Sequence, residues 1–135
     1  MKIVYSYYVL DIIHRGHLYY LANAKRLAGE DGISIVGVLT DAATMENKRK
    51  PIISFEERMT VALALQDADL VVPQESYSPL SNLKIINPDI LIESASHSPN
   101  KNVEEYMGSI GGIIVTLPYY PNQSSTLIKE TILGQ

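Results

Sequence analysis

Along this chain, continuous apolar runs alternate with stretches in which apolar positions recur every three or four residues. Ile3-Val4-Tyr5-Ser6-Tyr7-Tyr8-Val9-Leu10 is β-branched and aromatic enough to read as a buried strand. Leu18, Leu21, Ala22, Lys25 and Ala28 follow at helical spacing. Ile33 to Leu39 predicts a second strand. Ser54-Phe55-Glu56-Glu57 has the form of a capping box, with Phe55, Met59, Ala62, Leu63 and Leu65 on or near one face of the helix it opens. Leu70 to Val72 predicts a short third strand, and Ser78-Pro79 starts a helix carrying Leu80, Leu83 and Ile86. Ile90 to Ile92 reads as a fourth strand, Val103 to Met107 as a short helix, and Ile113 to Leu117 as a fifth strand. Ser124 or Ser125 caps a last helix with Leu127, Ile128 and Ile132 on its buried side. Apolar strands separated by helices predict a parallel sheet covered on both faces. No repeat, linker or low-complexity segment interrupts the pattern, so residues 1–135 read as one domain.

The junction of the first strand and helix carries the chemistry. His14-Arg15-Gly16-His17 puts two imidazoles and a glycine where, in an open α/β sheet, the ligand crevice lies. Free helix N–H groups favour an anion at such a turn. Glycine lets a phosphate approach the backbone, and imidazoles donate hydrogen bonds to phosphoryl oxygens. The chain has no G-x-G-x-x-G after the first strand and no G-x-x-x-x-G-K-[ST], so a phosphate cradle has to come from the histidine turn.

Composition narrows the setting. The 135 residues are 46% hydrophobic, enough for a real core. A net charge of −4 leaves no basic footprint for nucleic acid. Cysteine is absent, which removes disulfides and thiolate metal sites and fits a reducing cytoplasm. No apolar stretch is long enough for a membrane span, and the N-terminus lacks a signal-peptide layout; the expectation is a cytoplasmic protein. His14, His17 and Asp11 could pair on a metal, but zinc sites usually need further His or Cys ligands, and His97 is the only other histidine. Lys48-Arg49-Lys50 is a solvated loop by default, and gains meaning only from its place opposite the histidine turn. Arg58, in a helix's first turn, faces the unfavourable dipole end, so an external anion or a carboxylate such as Glu57 should hold it.

Asp11-x-x-His14-x-Gly16-His17, the Thr40-Asp41 pair, Asn47-Lys48-Arg49-Lys50-Pro51, the helix start Ile53-Ser54-Phe55-Glu56-Glu57-Arg58 and Ser124-Ser125-Thr126 together resemble the cytidylyltransferase branch of the HxGH nucleotidyltransferases. The resemblance runs in order over essentially the whole chain. Val71-Val72-Pro73-Gln74-Glu75 and Leu117-Pro118-Tyr119-Tyr120 look closer to cytidylyltransferases acting on phosphonates, and also to adenylyltransferases acting on heptose phosphate. The resemblance implies a Rossmann-like, doubly wound α/β fold with a five-stranded parallel sheet and helices on both faces. It implies transfer of CMP from CTP, with ATP as the alternative donor, to a small phosphate- or phosphonate-bearing acceptor, with release of pyrophosphate. His14, His17, Lys48 and Thr126 would be catalytic. Tyr8, Val9, Leu10, Asp11, Gly16, Lys50, Ser124 and Ser125 would bind the nucleotide, and Arg58, His97 and Tyr119 the acceptor. Magnesium would accompany the triphosphate, no metal would be held by the protein itself, and the chain would form a homodimer.

This chain departs from the family pattern at three places. Tyr8-Val9-Leu10-Asp11 stands where Gly-Thr-Phe-Asp is usual, and Glu93-Ser94-Ala95-Ser96-His97 where Gly-Asp-Asp-Trp is usual. Tyr119 to Thr126 keeps the hydroxyls of Arg-Thr-x-Gly-Ile-Ser-Thr-Thr without its arginine and glycine, and Asn122 is the residue suited to a left-handed conformation there. These departures touch base and acceptor choice and leave the histidines intact. A catalytically impaired nucleotide-binding module of the same fold is the other class of function open to this sequence.

Overall fold

The structure, a computed structural model, describes residues 1–95, 100–118, 128, 129 and 132. The chain runs β1 (Ile3–Tyr8), α1 (Arg15–Ala28), β2 (Ile33–Leu39), α2 (Asp41–Met45), α3 (Phe55–Leu63), β3 (Leu70–Gln74), α4 (Leu80–Ile86), β4 (Ile90–Ser94), α5 (Lys101–Ser109) and β5 (Ile113–Leu117). All neighbouring strands pair in parallel, in the order β3-β2-β1-β4-β5. This is the doubly wound α/β sheet expected from the pattern.

Side-chain alternation along β1 divides the core. Val4 packs with Ala24 and Ala28 of α1 and with Ile90, Ile92 and Leu117. Leu10, Leu21, Val36, Val38 and Ala62 continue that face under α1 and α3. On the opposite face Tyr5 joins Ile35, Leu83, Leu91, Val103 and Met107 under α4 and α5. The winding therefore reverses between β1 and β4, which is where open α/β sheets bind ligands. The ladders open a crevice there. β1 pairs with β2 from Ile3↔Ile33 to Tyr8↔Val38, whereas its pairing with β4 consists of Val4↔Ile90 and Tyr5↔Leu91. Beyond those pairs the two strands part, and their C-terminal ends form the crevice walls.

Several boundaries differ from expectation, each for a local reason. β1 ends at Tyr8 because Leu10 takes a left-handed φ of 57°, which no strand accommodates. On α1 the buried stripe is Leu21, Ala24 and Ala28, with Leu18 and Ala22 exposed; the two small alanines let the helix approach the sheet closely. Leu63 of α3 is likewise exposed. Of the Ser54 capping box only one half is made, with Ser54 Oγ accepting from the Glu57 N–H at 3.2 Å. β3 extends through Pro73 to Gln74, and proline is tolerated because this is an edge strand. α2, capped by Thr40, is too short for a periodic signal. Among the described residues no helix is long and apolar enough to cross a membrane.

Candidate active site

The histidine turn is rigid because its imidazoles cap their own helix. His14, the N-cap residue of α1, accepts the Gly16 N–H on Nδ1 at 3.0 Å, and His17 accepts the His14 N–H on Nδ1 at 3.2 Å. With both Nδ1 atoms accepting, both rings carry their proton on Nε2 when neutral. The rings lie 4.1 Å apart, and Tyr8 meets His17 edge-on at 6.2 Å. Burial, then the charges of His14 and Lys48, push His17 down to about 3, and burial lowers His14. Two neutral Nε2–H donors thus stand at the crevice. The expectation that free N–H groups of α1 hold the anion is corrected: Gly16 donates to His14 Nδ1, and His17 donates its N–H to the His14 carbonyl at 3.0 Å.

Behind the turn lies a scaffold that the sequence had assigned to ligands. Asp11 is buried and accepts the N–H groups of Ile52 and Ile53 at 2.9 and 2.8 Å, and it pairs with Lys129. Burial raises its carboxyl, but Lys129 and the two backbone donors outweigh this and hold it below the usual carboxylate range. Asp11 therefore does not contact a nucleotide; it ties the lysine loop and the last helix to the turn. Arg58, 1% exposed, donates to the carbonyls of Ile53, Val9 and Leu39 at 3.1, 2.7 and 2.6 Å and pairs with Asp41 at 2.7 Å. The acceptor role expected for Arg58 is likewise corrected, since the carboxylate that holds it is Asp41 and its neighbours are backbone oxygens. Leu10 turns its side chain into the core beside Leu21 and Val36, and the Val9 carbonyl accepts from Arg58. Tyr8 projects from β1 into the same core, with its hydroxyl buried.

The lysine loop reaches the turn as expected. Although Lys48 is exposed as a residue, desolvation at its ammonium and the nearby charge of Lys129 lower it, and Lys48 in turn acts on His17. Lys50 is exposed in the same loop. His14, His17, Lys48 and Lys129 thus converge. Lys129 was missed from sequence. His97, Tyr119, Ser124, Ser125 and Thr126, with Asn122 and the last helix's cap, lie outside the described residues.

The opposite crevice wall is acidic and aromatic, and the sequence reading missed it too. The Tyr7 hydroxyl donates to Glu93, 2.8 Å from each carboxylate oxygen. Burial raises Glu93 to about 7, with the Tyr7 bond opposing it. Tyr77 lies close enough for Glu93 to raise its hydroxyl, after burial. A carboxylate at the end of an apolar strand was the available signal.

A parallel sheet that reverses its winding between β1 and β4, with two imidazole donors and two lysines at that point, defines a nucleotide-type crevice in an α/β fold. A family model described as cytidylyltransferase-like matches residues 9–131, and the chain belongs to that family. The bifunctional protein HldE of Yersinia pestis (strain Pestoides F) is 34% identical over 134 residues, covering 97% of this chain and 28% of that protein. HldE of Yersinia pseudotuberculosis serotype O:1b (strain IP 31758) matches equally. The chain therefore spans little more than a quarter of these relatives. The crystal structure of the lipopolysaccharide core biosynthesis protein from Thermoplasma volcanium GSS1 has the same fold, at a TM-score of 0.75 and 21% identity, covering 91% of this chain and 99% of that one.

Proposed function

We propose that this chain transfers a nucleotidyl group from a nucleoside triphosphate, CTP first and ATP as the competing donor, to a small acceptor bearing a phosphate or phosphonate. The observation that carries this reading is the convergence of the His14 and His17 Nε2–H donors with Lys48 and Lys129 at the switch point. An acceptor phosphoryl oxygen attacks the α-phosphorus, the bond from that phosphorus to the bridging oxygen breaks, and pyrophosphate leaves with the electron pair. The acceptor is already an anionic nucleophile, so no general base is needed. The work left to the protein is to hold two anions together and stabilise charge on the leaving pyrophosphate. Neutral imidazoles with fixed tautomers supply donors without reorganising, and the lysines supply charge.

Among the described residues no three His, Asp or Glu side chains converge to hold a metal, and Asp11 is engaged by Lys129 and two N–H groups. Magnesium is proposed here as a companion of the triphosphate, where it would screen charge between phosphates. The donor base rests on resemblance: the cytidylyltransferase-like description favours CTP, and the segments akin to heptose-phosphate adenylyltransferases favour ATP.

Pyrophosphate release measured with CTP and ATP across polyol phosphates, sugar phosphates and phosphonates tests the reading. His17→Ala should lower kcat by about a hundredfold or more (~3 kcal/mol for one lost donor), with a smaller loss of nucleotide affinity. Release unchanged in both His14→Ala and His17→Ala overturns the role of the histidines. Nucleotide binding with no release from any pair leaves a binding module.

A further inference from the structure

Among the described residues, Glu93 is a buried carboxylate with few partners. It is 3% exposed, yet among the described residues its hydrogen bonds come from the Tyr7 hydroxyl alone, and none of its neighbours is an ion-pairing cation. A carboxylate offers about four acceptor positions, and a buried charge is ordinarily paired. Its position is not incidental. Glu93 lies on β4 and Tyr7 on β1, both past the last ladder pair, Tyr5↔Leu91, so the two side chains bridge the floor of the crevice where the backbone no longer does.

The surroundings are built to hold this arrangement. Tyr5 and Tyr7 stack at 6.2 Å. The Tyr5 hydroxyl donates to Gln74 Oε1 at 2.7 Å and accepts from Asn82 Nδ2 at 2.9 Å. Gln74, also buried, donates to the carbonyls of Ser76 and Tyr77 at 3.0 and 3.1 Å, which fixes the loop carrying Tyr77 near Glu93. A Cβ on Gly37 would sit 2.0 Å from the Tyr5 hydroxyl, so the network depends on a glycine in β2 beneath it. A carboxylate walled by tyrosines is the chemistry that recognises an ammonium group. The crevice thus has two kinds of wall: Tyr8, next to Tyr7 in the chain but on the opposite face of β1, meets His17 edge-on, and there the neutral imidazoles of His14 and His17 gather with the cations Lys48 and Lys129.

Resting on the proposed transferase reading, we infer that Glu93, framed by Tyr7 and Tyr77, selects an acceptor that carries an ammonium group beyond its phosphate or phosphonate. The acceptor class is an aminoalkyl phosphate or phosphonate rather than a polyol or sugar phosphate. The Glu93 carboxylate pairs with the ammonium while the imidazoles and lysines face the acceptor and donor phosphates.

The test compares 2-aminoethylphosphonate with its near-isostere 2-hydroxyethylphosphonate, by calorimetry on the whole chain and by pyrophosphate release in parallel. The amino compound should bind at least about tenfold tighter. Glu93→Gln should bring the two within about twofold by weakening the amino compound alone, and Tyr7→Phe, which leaves the carboxylate in place, should keep the preference. Equal or tighter binding of the hydroxy compound by the unaltered protein overturns the inference, as does a preference that survives Glu93→Gln. Turnover confined to acceptors without an amino group overturns it while the transferase reading stands. Selective amino binding without pyrophosphate release sustains the ammonium site and removes the transferase reading.

Discussion

Arg58 and Glu93 are both charged, both buried, and both set beside the end of β1, but their surroundings differ in kind. Among the described residues, Arg58 has a carboxylate and three carbonyls around it, and Glu93 has one hydroxyl. A buried charge with a full set of partners holds structure together: Arg58 joins β1, β2, α2 and the start of α3 into one support for the histidine turn. A buried charge short of partners has chemistry in reserve, and among the described residues Glu93 is such a charge, on β4 beyond its last pair with β1. Burial alone therefore does not separate scaffold from site; the number of satisfied hydrogen bonds does.

The largest test of that contrast is Arg58→Met, which fills similar volume but leaves the carbonyls of Val9 and Leu39 and the Asp41 carboxylate without their donor. It should cost about 3–5 kcal/mol, read from urea midpoints, because breaking a buried pair strands the remaining partners. A loss below about 1 kcal/mol would mean that Arg58 is not the staple its contacts describe.

Asp11→Asn comes next. It removes the Lys129 pair and turns an amide donor toward the Ile52 and Ile53 N–H groups, at a cost of about 2 kcal/mol. Because the lysine loop is what Asp11 tethers, KM for the triphosphate should rise more than kcat falls, which steady-state kinetics would separate. The native carboxyl is held low, so this stabilisation is present above the ordinary Asp range near 3.8 and lost as pH falls through the lower native value.

Glu93→Gln gives the smallest effect, and its sign is opposite. Glu93 titrates near 7 in the native state against 4.5 otherwise, so its penalty is absent below about 4.5 and grows until the pH has passed through 7. Between pH 6 and pH 8 the unaltered protein should lose about 1 kcal/mol relative to Glu93→Gln, measured as the difference between their urea midpoints. Parallel pH profiles for the two proteins would show that Glu93 is as well partnered as Arg58 and would end the contrast.

What could be read from the sequence was local. The alternation of strands and helices, the parallel sheet and the position of the His14-Arg15-Gly16-His17 turn all followed from residues adjacent in the chain. Hydrophobic periodicity and turn chemistry operate over a few residues, so one sequence carries them in full. The same reading misplaced Arg58 as an acceptor ligand and Asp11 as a nucleotide contact, because nothing in a helix's first turn announces that carbonyls 5, 19 and 49 residues away will surround its arginine.

Residue types determined that this chain has two imidazoles and several lysines available for phosphate chemistry. Tertiary structure decided what each charge does. Only the folded sheet, by bringing β1 beside β4 and then letting them part, puts Tyr7 on Glu93 and Lys129 on Asp11. A side chain's role depends on which donors and acceptors surround it after burial, and partners 86 or more residues apart in sequence meet only when the backbone has folded.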